Sequence, residues 1–134
     1  MFSRPTILDL HHQHTILLVE DDPDARSAVA ELLRLDGYEV RETGDGQEAL
    51  DVLRTGRHPC VVLLDLNMPG TSGWRFRAMQ LRDRAIADVP VIALSGHGGL
   101  EQQAQMMTLD GWVGKPLDFD KLLAIVGRTC RVAA

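Results

Sequence analysis

Residues 60–66, CVVLLDL, make a strand-length run that is apolar on both faces until it meets an acid, Asp65. A strand that shows water neither face must be covered on both. Parallel sheets packed between two layers of helices meet that demand. The rest of the chain repeats the pattern. Strand-like segments at 15–19, 38–42, 60–66, 90–96 and 111–115 alternate with helix-like segments at 23–37, 46–56, 73–85, 98–109 and 117–132. Such alternation predicts an α/β fold: a doubly wound, five-stranded parallel sheet with five helices.

The helices carry their own signals. In the first, Asp22 is a natural N-cap, Pro23 suits the first helical position and Gly37 suits the end. Helical spacing places Ala25, Ala28, Val29, Leu32 and Leu35 on its inner face. The same spacing selects Ala49, Leu50 and Leu53 in the second helix. It selects Leu100, Ala104 and Met107 in the fourth, and Leu122, Ile125, Val126 and Thr129 in the last.

At 134 residues the chain is the size of one domain and is long enough to bury a core without staples. A net charge of −5 argues against nucleic acid as the main partner, since phosphate backbones select basic surfaces. No apolar run is long enough to span a bilayer and no signal-peptide block opens the chain, so a cytoplasmic location with no membrane partner is expected. On that ground Cys60 and Cys130 are read as two small apolar residues and not as a disulfide. Residues 1–14, with His11, His12 and His14, read as a mobile leader to a domain over 15–132, not as a transition-metal site. The locally basic segment 75–84 reads as a solvated helix face.

In open parallel sheets the working groups gather at the carboxyl ends of strands. Here those ends carry Glu20-Asp21-Asp22, Asp65 with Asn67 two residues on, Ser95-Gly96, and Lys115-Pro116. Asp22 is already used as a cap. Neighbouring strands lie about 4.8 Å apart, which would bring Glu20, Asp21 and Asp65 within side-chain reach. Three carboxylates that close must hold extra protons or bind a cation. Hard oxygen ligands suit Mg²⁺, and together with Lys115 the ion would offset the charge of Asp65.

These motifs, LLVEDD, VVLLDLNMPG, VIALSG and GWVGKP, resemble a response-regulator receiver domain of two-component signalling, over about Thr15 to Val132. The resemblance implies a flavodoxin-like sheet in the order 2-1-3-4-5. It implies that Asp65 is the phosphoacceptor, taking a phosphoryl group from a phosphohistidine on a sensor histidine kinase or a histidine phosphotransfer protein. Asp21 would bind Mg²⁺ directly, Glu20 mostly through water, and Asn67 through its main-chain carbonyl. Lys115 would pair with Asp65 and then with the phosphoryl oxygens, and a cis Lys115-Pro116 bond would aim it inward. Ser95 would hydrogen-bond the phosphoryl group, helped by the Gly96 amide. Asn67 and His97 would tune hydrolysis. Ser95 and the aromatic Trp112 would form the switch, resurfacing the face made by the fourth helix, fifth strand and last helix for an unidentified protein target.

The same resemblance implies a signalling protein and not a turnover enzyme, acting as a stand-alone receiver or as one domain of a longer protein. Two alternatives stay open: a receiver-like module that binds partners without phosphorylation, and a phosphatase of the haloacid-dehalogenase type. The second needs a general acid two residues after the nucleophile, where this chain has Asn67.

Overall fold

The computed structural model describes residues 14–68, 73–96, 105 and 107–133, with the side chains of 131–133 left out. Five strands form one parallel sheet: β1 (Thr15–Val19), β2 (Glu39–Thr43), β3 (Val61–Asp65), β4 (Val91–Ser95) and β5 (Gly111–Gly114). Their order is β2-β1-β3-β4-β5, the doubly wound arrangement expected. Four helices are described: α1 (Pro23–Leu35), α2 (Gly46–Arg54), α3 (Gly73–Arg82) and α4 (Phe119–Ala133). The remaining expected helix, 98–109, falls mostly outside the described residues, as do Leu100, Ala104 and His97.

Alternation along the strands explains why they are apolar throughout. Leu17, Val19, Val62 and Leu64 face one layer, with Ala49, Leu50 and Leu53 of α2 and Phe76 of α3. Ile16, Leu18, Val61 and Leu63 face the other, with Val29, Ala30 and Leu33 of α1 and Leu122 and Val126 of α4. Every residue of β3 and β4 is buried.

Two helix faces differ from expectation. In α1 the buried residues are Val29, Ala30 and Leu33, whereas Leu35 is 74% exposed and Ala28 is exposed. The inward stripe is rotated onto Val29, Ala30 and Leu33; Arg26, at helical spacing from them, is half-buried and its guanidinium donates to the Glu20 carbonyl at 2.9 Å. In α4 the stripe runs Leu122, Val126, Cys130, and Thr129 is only half-buried. The end signals of α1 hold. The Asp22 side chain accepts from the Asp24 amide at 3.0 Å, and Gly37, at φ 98°, turns the chain out of the helix.

The basic segment is also not a wholly solvated face. Arg77 is 5% exposed and donates to the carbonyls of Met107 and Thr108 and, at 2.7 Å, to Gln80 Oε1. Gln80 is fully buried and its amide donates to the carbonyls of Ile86 and Val89 at 3.0 and 2.9 Å. Charge counting along one helix cannot see carbonyls supplied from other segments.

The cysteines are the largest departure. Cys60 and Cys130 form a disulfide across a sequence separation of 70 residues, with their Cα atoms 5.1 Å apart. The expectation of two reduced, merely apolar residues is thereby corrected. Cys60 immediately precedes β3 and Cys130 lies on the buried stripe of α4, and packing α4 on the sheet brings the two together.

Candidate functional site

The strand order decides which chain ends meet. β1 and β3 are neighbours, with Val19 opposite Leu64, so the acids that follow β1 emerge beside Asp65. Carboxylate oxygens of Glu20, Asp21 and Asp65 all lie within 4.8 Å of one another. Asp65 and Glu20 are buried and Asp21 is exposed. Further along the sheet, Asp65 pairs in register with Leu94, and Ser95 with Gly114. Lys115 leaves β5 on a cis peptide bond to Pro116, its amide donating to the Ser95 carbonyl at 2.9 Å. Its ammonium lies 3.3 Å from Asp65 Oδ2 and 3.4 Å from Glu20 Oε1.

Local bonds fix these groups. The Asn67 amide donates to Asp65 Oδ1 at 3.0 Å, and the Asp22 amide donates to Glu20 Oε2 at 3.2 Å. Thr43, buried at the end of β2, donates its hydroxyl to the Leu18 carbonyl. The Asn67 side-chain amide reaches the Ser95 hydroxyl at 3.4 Å. At the start of α3, a Cβ on Gly73 would sit 2.7 Å from Leu66 Cδ2 and 3.1 Å from Leu66 Cα. Only a glycine lets α3 press so closely on the backbone just past Asp65.

The electrostatics are in conflict. Glu20 is pushed up to about 7, first by burial and then by its hydrogen bond with Asp65, with repulsion from Asp65 adding to both. The Asp22 amide and the Lys115 charge pull the other way without prevailing. For Lys115, burial disfavours the charge, but Asp65 and Glu20 outweigh it and hold the ammonium above its ordinary range. One lysine therefore does not neutralise the pocket. Three carboxylates this close, with Glu20 pushed up to about 7, form a donor set that a hard divalent cation satisfies. Glu20, Asp21 and Asp65 fit Mg²⁺ on that chemistry.

The sites expected from sequence thus come together for Glu20, Asp21, Asp65, Asn67, Ser95 and Lys115. Trp112 does not join them. It lies on the outward face of β5, 42% exposed. It borders a cavity of about 470 Å³ that Pro116, Lys121, Ile125 and Arg128 also line. Sequence reasoning missed Arg26, which ties α1 to the Glu20 backbone. The available signal was a basic residue one turn past the Asp22 cap, too common a pattern to single out.

A family model described as the response regulator receiver domain matches residues 16–127. Among curated proteins, the chain is 34% identical over 112 residues to the phosphate regulon transcriptional regulatory protein PhoB of Pseudomonas aeruginosa. That match covers 82% of this chain but 48% of PhoB, so the chain spans about half the length of that relative. Among solved structures, the chemotaxis response regulator CheY4 of Vibrio cholerae superposes with a TM-score of 0.78 at 29% identity, covering 87% of this chain and 98% of CheY4. The receiver domain of the sensor histidine kinase PA1611 of Pseudomonas aeruginosa, solved with a magnesium ion coordinated in its active-site cleft, gives 0.80 at 26% identity. That match covers 88% of this chain and 98% of that domain.

Proposed function

The chain belongs to the response regulator receiver domain family, and on that premise we propose that it takes a phosphoryl group from a partner's phosphohistidine onto Asp65. The observation that carries the reading is the meeting of three carboxylates and the Lys115 ammonium at the end of β3. Phosphoryl transfer asks a protein for positioning and charge neutralisation more than for covalent chemistry. An Asp65 carboxylate oxygen attacks phosphorus in line, the phosphorus–nitrogen bond breaks, and the departing imidazole leaves with the electron pair. Lys115, already 3.3 Å from Asp65, follows the charge onto the phosphoryl oxygens. The Ser95 hydroxyl donates to one of those oxygens, and Asn67 holds Asp65 through its amide. Glu20, Asp21 and Asp65, with the Asn67 carbonyl, would hold Mg²⁺, which would supply the remaining neutralisation.

The output is a change of surface. Drawing Ser95 toward the phosphoryl group alters β4 next to β5, where Trp112 stands exposed beside an open cavity. Inward rotation of that indole would reshape the face that β5 and α4 share, for a protein target. The protein is a phosphoacceptor and not a turnover enzyme. No helix among the described residues is long and apolar enough to cross a membrane.

Incubation with acetyl phosphate and Mg²⁺, followed by intact-mass measurement, tests the reading. The expected result is one phosphoryl adduct on the wild type and none on Asp65→Asn. An equal adduct on Asp65→Asn would move the acceptor elsewhere.

A further inference from the structure

The opposite end of the same two strands holds a second cluster. His14 precedes β1, Cys60 precedes β3, and Cys130 belongs to α4. A ring nitrogen of His14 and the two sulfurs all lie within 4.8 Å of one another. The three positions are held by the fold. The Cys60 amide donates to the Thr15 carbonyl at 2.8 Å, and the His14 carbonyl accepts from the Glu39 amide at 3.2 Å. Cys130 is locked by its place after Leu122 and Val126 on the buried stripe of α4. A covalent tether needs only two cysteines. It gives no reason for an imidazole to sit against both sulfurs.

We propose that His14, Cys60 and Cys130 form a thiophilic metal site whose two states exclude each other. Oxidised, the pair is the disulfide. Reduced, two thiolates and one neutral imidazole bind a Zn²⁺-class cation, with solvent at the fourth position. One nitrogen and two sulfurs suit that ion. The hard, all-oxygen pocket at the other end suits Mg²⁺ instead. Interconversion balances through a dithiol reductant. It delivers two electrons and two protons, the sulfur–sulfur bond opens to two thiols, and the reductant becomes a disulfide. Ion binding then releases both thiol protons. Cys60 and His14 are only half-buried, which leaves reductant and ion a route in. Nothing in this site draws on phosphoryl transfer.

The test uses the full chain, reduced with a phosphine, desalted without air and titrated with Co²⁺ in excess Mg²⁺ to occupy the acid pocket. One Co²⁺ per chain is expected, with thiolate-to-cobalt charge-transfer absorption that Zn²⁺ abolishes, and no such absorption from the disulfide form. His14→Ala should weaken binding roughly tenfold or more. Replacing both cysteines by serine should remove the band while circular dichroism reports an intact fold. No charge-transfer band from the reduced wild type would overturn the proposal. So would His14→Ala binding as tightly as wild type, and that variant decides the matter should the serine protein fail to fold.

Discussion

β1 and β3 are each five residues long, and their two ends are built in opposite ways. At the carboxyl ends, buried acids repel one another around a single lysine, and Glu20 cannot stay ionised much below pH 7. At the amino ends, a disulfide ties β3 to α4. One end of the sheet holds charges in a state that favours binding a cation. The other constrains the chain on which those charges are mounted. The contrast teaches that reactivity and stability can be separated by the length of one strand, because register carries the position of each end to the other.

The disulfide end gives the largest expected effect. Opening a loop of 70 residues should cost about 4 kcal/mol by the loss of chain-entropy restriction. Urea unfolding of the Cys60→Ala/Cys130→Ala protein in chelator measures it. A loss below about 1 kcal/mol would make the tether incidental.

Next comes pH. Glu20 sits at about 7 in the fold against an ordinary 4.5, so the unfolded chain releases that proton first. The contribution of Glu20 to stability is therefore fully present below pH 4.5 and is lost as pH passes about 7, on the order of 3 kcal/mol in metal-free buffer. Lys115, held above its ordinary 10.5, stays charged throughout this window. Glu20→Gln should flatten the slope in denaturation series run from pH 4.5 to 8, and an unchanged slope would assign the titration elsewhere.

A fully satisfied polar network offers a reference for both ends. Gln80 spends its side chain on Arg77 and two carbonyls with no charge conflict. Gln80→Ala should cost about 2 kcal/mol at every pH in that range, because buried partners are left unpaired. A strongly pH-dependent cost would mean that the network is coupled to the acid pocket.

Sheet and pocket were legible in sequence for one reason. Apolar runs such as Val61–Leu64 mark strands, and an acid or lysine directly after such a run must sit at a strand end. Parallel order then brings Glu20, Asp65, Ser95 and Lys115 together. What was not legible depends on how helices rotate and dock. Leu35 fits an apolar stripe on paper yet faces solvent, because α1 docks with Val29, Ala30 and Leu33 toward the sheet. Arg77 looks like a surface charge until the carbonyls of Met107 and Thr108 arrive from a distant segment. Cys130 becomes a partner for Cys60 only once α4 lies across the start of β3. The compartment argument against a disulfide used no geometry and was overruled by it.

The claim on which the contrast rests is that Glu20, Asp21 and Asp65 act as one cation pocket. Its most direct test is the shift of the urea unfolding midpoint with Mg²⁺ at pH 8, in wild type and in Asp65→Asn. At tenfold excess over the dissociation constant, wild type should gain about 1.4 kcal/mol, and the variant should gain far less at the same concentration. Equal stabilisation of both proteins, or none of either, would contradict it.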